Sequence, residues 1–225
     1  MGTSIQLVRF EATGFSPPRK STSPKPSVDY MPYDASRYLA VAAGLNGGNV
    51  LRSYAVYLQD IVRQLTGLQM TEAEVWTKLA AICEQEEEEE ESESISSPSS
   101  TLRIQPRLFG ERHQPESDFQ LTGVRFELPR LARLTRALCA SLLENIFEMM
   151  ALSEEECALT RTIVCTGNVV ARNEVLQKEF EKIVDEKFTD NLASKGVRAV
   201  EVHFLDECDA DVGCALLAYR QYTAR

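Results

Sequence analysis

Three short stretches carry residues suited to holding phosphate: Gly2-Thr3-Ser4, Asn46-Gly47-Gly48-Asn49 and Thr166-Gly167-Asn168. Glycine lets an anion approach the main chain, hydroxyls donate to it, and successive N–H groups of a turn form a small anion nest. Each stretch adjoins a predicted strand, and the last two open directly into helical patterns, whose N-termini favour anions. None fits G-x-x-x-x-G-K-[ST] or a full G-x-G-x-x-G, which excludes the P-loop and dinucleotide classes. A single Gly-Gly before a helix is equally well a plain connection; three such turns on one small sheet point to a nucleotide.

Other reactive residues are sparse. The two histidines are His113, in the loop Glu111-Arg112-His113, and His203, in a strand pattern. Asp206, Glu207, Asp209 and Asp211 cluster before an apolar helical pattern, where helix capping and metal binding are the two readings and capping explains the spacing better. Six cysteines form no C-x-x-C pair, the pattern of reduced thiols. Cys208 and Cys214 have no neighbouring base, and no Ser-His-Asp or H-E-x-x-H set exists.

The elements that must position these turns follow from periodicity. Residues 3–10 alternate as a strand. Residues 14–28 are rich in Pro, Ser, Lys and Arg and predict a long mobile hairpin loop. SRYLAVAAGL (36–45) predicts a strand buried on both faces, and Val50, Leu51, Tyr54, Ala55, Leu58, Ile61, Val62 and Leu65 carry helical spacing. Thr71 and Glu74 make a capping box for a second helix with Val75, Trp76, Leu79 and Ile82 inward. It runs into a glutamate block, and residues 84–100 predict a disordered acidic insertion. A strand over 102–109 follows, then strand-like pieces. A helix over 129–150 has Leu131, Leu134, Leu138, Leu142, Ile146 and Met149 on its buried face. Ser153 and Glu156 cap a short helix, RTIVCTG is a buried strand, ARNEVLQKEF a helix, VRAVEVHF a strand and DADVGCALLAYRQY a last helix. This order predicts one α/β domain over 1–225, a mixed sheet layered with helices.

Eight glutamates within residues 84–93 carry most of the net charge of −10. The remainder is nearly neutral, with no basic stripe for nucleic acid. No apolar run reaches the roughly 20 residues of a membrane span and no leader pattern opens the sequence, so a cytoplasmic protein without a membrane partner is expected.

The stretches GTSIQL, RYLAVAAGLNGGNVL, PRLFGERHQP, LTRALCASLLENI, VCTGNVVARNEVLQKE and DADVGCALLAY together resemble, in order, the C-terminal ATP-binding half of FGGY carbohydrate kinases. LNGGNVL and GERH with a following proline point to the branch acting on a sedoheptulose-like seven-carbon ketose. The resemblance implies an actin-like, ribonuclease-H-like ATPase domain that uses ATP and Mg2+. It implies a second phosphate loop at Gly2, Thr3 and Ser4, and a nucleotide-side turn at Gly47 and Gly48. Gly167 and Asn168 match the small pair that admits the adenosine, with Asn168 in place of a small residue. Arg172 and Asn173 would stand near the base, and Glu111, Arg112 and His113 at the interdomain cleft. In that family the sugar site and the general-base aspartate precede the GTS loop, so this chain alone is expected to be inactive. A second reading is a non-catalytic nucleotide-binding or interaction module that pairs with a full-length kinase subunit. An actin- or chaperone-like ATPase is a third.

Overall fold

The apolar helix α3, Leu131–Met150, is the spine on which the other elements pack. Its buried positions include Leu138, Leu142, Leu143, Ile146 and Phe147, a stripe wide enough to serve partners on several sides. The computed structural model describes residues 4–18, 27–34, 36–92, 102–112, 114–124, 130–189 and 200–205.

Strands β1 (Ile5–Phe10), β2 (Val28–Pro32) and β3 (Tyr38–Gly44) form an antiparallel sheet in the order β1-β3-β2. The central strand β3 is the apolar YLAVAAG run, buried at Ala40, Val41, Ala42 and Gly44, as expected of a strand flanked on both sides and covered by a helix. β2 lies at the end of the stretch expected to be loop; residues 19–26 lie outside the described residues. Asn46-Gly47 then turns the chain into α1 (Gly48–Thr66), which ends at Gly67 with φ 74°. Leu65, expected on the buried face, is 80% exposed, because the last turn of α1 runs past its neighbours.

Helix α2, Glu72–Ser92, begins with the expected capping box: Thr71 N–H donates to Glu74 Oε2 at 2.7 Å, and Glu74 N–H to Thr71 Oγ1 at 3.2 Å. Two inward assignments fail, since Ile82 in α2 and Leu131 in α3 are exposed. The helix also continues through the first part of the glutamate block. Glu86 is buried and accepts from Arg136 of α3 at 2.8 Å, while Glu87 accepts from Lys182 at 2.7 Å. Residues 84–92 are therefore helical, their like-charge repulsion offset by cations on two neighbouring helices; residues 93–100 lie outside the described residues.

Short strands β4 (Arg103–Pro106) and β5 (Phe119–Thr122) make an antiparallel pair. Ser153 and Glu156 cap α4 (Glu154–Leu159) reciprocally, as expected. β6 (Thr162–Thr166), α5 (Asn168–Arg172), α6 (Glu174–Val184), a π-helical turn (Asp185–Thr189) and β7 (Glu201–Leu205) follow, with β6 and β7 parallel. The mixed α/β content agrees with expectation. The single mixed sheet does not: among the described residues the strands lie in three separate sheets. The final acidic cluster and the helix after it, with Cys208 and Cys214, lie outside the described residues.

Candidate functional site

The turn after β3 is fixed by buried polar contacts. Asn46 is fully buried; its Nδ2 donates to Gly110 O at 2.6 Å and to Glu111 Oε1 at 2.9 Å, while its Oδ1 accepts from Phe109 N–H at 3.0 Å. Glu111, itself 0% exposed, also accepts from Leu45 N–H at 3.0 Å and from Asn145 Nδ2 of α3 at 3.2 Å. Three donors on one carboxylate meet the requirement that a buried charge be hydrogen-bonded. Glu111 is thus not at a cleft surface, as expected from sequence, but is the inner tie between two loops. Arg112 beside it is exposed, and His113 lies outside the described residues.

Gly47 follows that tie. A Cβ on it would stand 2.8 Å from Ile5 N and 2.9 Å from Ser4 C, so only glycine lets the turn press on the start of β1. Asn49 Oδ1 accepts from Gly47 N–H at 2.8 Å and Val50 N–H at 2.9 Å, and its Nδ2 donates to Leu45 O at 2.8 Å. The first turn of α1 carries no acidic residue, so no carboxylate offsets the positive end of its dipole.

Ser4, Gly47, Gly48, Gly167 and Asn168 all line one cavity of about 730 Å3. Sequence reading placed them on three separate turns, and the fold brings them together; Gly2 and Thr3 lie outside the described residues. Gly167, the residue before α5, has φ 107° and nothing within 4 Å of an added Cβ. Its main chain faces open space. The cavity lining contains Arg9 and Arg161 but no Asp, Glu or His among the described residues. Glycine main chain, hydroxyls and a helix N-terminus, with no carboxylate among the described lining residues, suit a polyphosphate. Burial pushes the thiol of Cys165, also in the lining, up to about 11, so it is not a thiolate nucleophile at neutral pH.

Two expected base-side residues are placed elsewhere. Asn173 is buried and caps α6, its Oδ1 accepting from Leu176 N–H at 3.0 Å. Arg172 is exposed at the end of α5 and is not part of the cavity lining. Sequence reading missed Asn145. An amide side chain among the mostly apolar buried positions of α3 was the available signal, since such a residue is retained only where it finds partners.

The chain is 28% identical to human sedoheptulokinase over 222 residues, covering 99% of this chain and 41% of that protein. It is 31% identical to mouse sedoheptulokinase over 183 residues, covering 81% of this chain and 36% of that protein. It superposes on a xyloylose kinase from Brucella ovis with a TM-score of 0.61 at 16% identity, over 100% of this chain and 38% of that one. For a xylulose kinase from Rhodospirillum rubrum the TM-score is 0.54 at 16% identity, over 99% and 45%. These structures show a shared fold. No protein-family model matches the chain. The protein is a sugar-kinase-like chain of the FGGY carbohydrate kinase family. Its curated relatives are sedoheptulokinases, of whose length it spans less than half.

Proposed function

We propose that residues 1–225 are the C-terminal, ATP-binding half of a sedoheptulokinase-like carbohydrate kinase with an actin-like, ribonuclease-H-like fold. The observation that carries this reading is that Ser4, Gly47, Gly48, Gly167 and Asn168, from three separate turns, line one cavity in a chain whose curated relatives are sedoheptulokinases. The reaction would move the γ-phosphoryl of Mg-ATP to a primary hydroxyl of a ketose, a step carried mostly by positioning and charge stabilisation. Ser4, with Gly2 and Thr3, and the turn opening α1 at Gly47 and Gly48 would hold phosphate oxygens, the latter through the Gly48 N–H, since that of Gly47 is given to Asn49 Oδ1. Gly167 and Asn168 would border the adenosine. Mg2+ would arrive on the nucleotide: the described residues hold no His, Cys, Asp or Glu group placed to ligate a metal.

A general base must reach the sugar hydroxyl, and the described lining offers no carboxylate or imidazole. Base and sugar pocket would therefore come from outside the described residues, and on the half-enzyme reading from outside this chain, which alone would show no kinase activity. The same observation favours the second reading, a nucleotide-binding module without catalysis that pairs with a full-length kinase subunit. The assay is ADP release against sedoheptulose, ribulose, xylulose and glycerol. Turnover at the level of the ATPase background is expected. Turnover above it, abolished by a substitution in this chain, would overturn the half-enzyme reading.

A further inference from the structure

The Glu111 carboxylate reaches the turn ahead of α1 from a rigid support. Glu111 and Gln114 exchange main-chain hydrogen bonds, N–H to O at 3.0 Å in both directions. Gly110 has φ 65°, and a Cβ on it would stand 2.5 Å from Pro115 O, so this loop closes tightly on itself. From the other side Asn145 of α3 donates to Oε1 at 3.2 Å. Held in this way, the two carboxylate oxygens take successive residues of the turn. Leu45 N–H donates to Oε2 at 3.0 Å, and Asn46 Nδ2 to Oε1 at 2.9 Å.

Every neighbour of that carboxylate is a donor, and Asn46 has no freedom to turn its amide over: its Oδ1 is committed to Phe109 N–H and its Nδ2 to Gly110 O. A glutamine in place of Glu111 would therefore aim its NH2 group either at Leu45 N–H or at the Asn46 amide, and one contact with the turn would be lost. The residues that follow depend on the same turn. Gly47 N–H and Val50 N–H are both taken by Asn49 Oδ1, and Gly47 O accepts from Val50 N–H at 3.0 Å and Leu51 N–H at 3.3 Å. The donor left over is Gly48 N–H, which has no acceptor among the described residues. Gly48 is buried and lines the cavity, where an anionic oxygen would satisfy it.

We propose that Glu111 is a positioning residue for the nucleotide: acting through Leu45 and Asn46, it holds the turn in the arrangement that presents Gly48 N–H to a phosphate oxygen. Glu111 itself touches no ligand. The inference rests on the nucleotide reading of the cavity and adds to it the residue that sets phosphate affinity. Its sign separates it from a simple charge effect. Removing a buried negative charge near an anion site would, by Coulomb's law alone, tighten the anion. Releasing the turn loosens it.

The test titrates Mg-ATP into the full chain and three variants, and follows the amide chemical shifts of Gly48 and Gly167 at equal occupancy. Glu111→Gln keeps the shape of the side chain and removes its charge. Asn46→Ala cuts the path by which Glu111 acts. Leu79→Ala lies in the apolar contact between α1 and α2, away from both tie and cavity, and serves as the control for lost stability. In the parent, ligand should shift both glycine amides. In Glu111→Gln and Asn46→Ala the Kd should rise at least about tenfold, with the Gly167 shift kept and the Gly48 shift lost. Leu79→Ala should lower the melting temperature and leave the Kd and both shifts as in the parent. Glu111→Gln binding Mg-ATP as tightly as the parent, or more tightly, overturns the positioning role, as does a Gly48 shift that persists. The same loss in Leu79→Ala overturns it too, since the tie would then act only through stability. Should Glu111→Gln fail to fold, Asn46→Ala decides by the same criteria. A parent chain that takes no Mg-ATP fails the nucleotide reading itself and the positioning role with it, whereas a parent that binds while Glu111→Gln matches it fails the positioning role alone.

Discussion

Gly47 and Gly167 look alike in sequence, each a glycine between a strand and a helix, yet the fold uses them for opposite purposes. Gly47 is walled in: its missing side chain makes room for the main chain of Ser4 and Ile5, and the neighbouring turn is tied down by buried Asn46 and Glu111. Gly167 is open, exposed, and set at φ 107° with no neighbour within 4 Å. One glycine is a packing requirement of the scaffold; the other is a conformational requirement that leaves main chain accessible. A ligand has room at the second and only reaches past the first.

Breaking the tie should have the largest effect. Glu111→Ala leaves the buried donors of Leu45, Asn46 and Asn145 without their carboxylate, a cost of about 3 kcal/mol or more by urea unfolding. A loss under about 1 kcal/mol would show that these loops hold together without it. Gly47→Ala comes next, at about 2–3 kcal/mol, because the new methyl meets main chain that cannot rotate away. Gly167→Ala should cost about 1–2 kcal/mol, from backbone strain alone. If Gly167→Ala proves the costlier of the two in parallel melts, the contrast between a closed and an open glycine is wrong. Asn173→Ala should be the mildest, about 1 kcal/mol for a lost helix cap, and should leave Mg-ATP affinity unchanged. A drop in affinity without a drop in stability would return Asn173 to the nucleotide.

Local chemistry was legible in the sequence where its causes are local. The capping boxes at Thr71 and Ser153, the apolar run of β3, and the glycine turns ahead of α1 and α5 all lie where residue type and spacing put them. What escaped depends on partners far along the chain. Glutamates 84–92 read as a solvated block because repulsion is written in the sequence, whereas Arg136, Lys178 and Lys182, which offset it, arrive from α3 and α6. Glu111 read as a cleft residue because nothing near it announces Asn46 or Asn145. Asn173 read as a ligand contact because a cap and a binding asparagine look the same until the helix start is known. That Ser4, Gly47, Gly48, Gly167 and Asn168 line one cavity, and that β1 and β6 lie in separate sheets among the described residues, needed the fold, since periodicity says where strands are and not which of them pair.

The central claim is that the open glycine borders the nucleotide. Isothermal titration of Mg-ATP into the chain and two variants tests it most directly. The parent should bind weakly, at high micromolar to millimolar Kd, roughly 4–6 kcal/mol. Gly167→Val should abolish binding by placing a branched side chain in the open space, and Asn168→Gly should tighten it by restoring a small pair. Gly167→Val binding Mg-ATP as the parent does would contradict the account and move the nucleotide away from this turn.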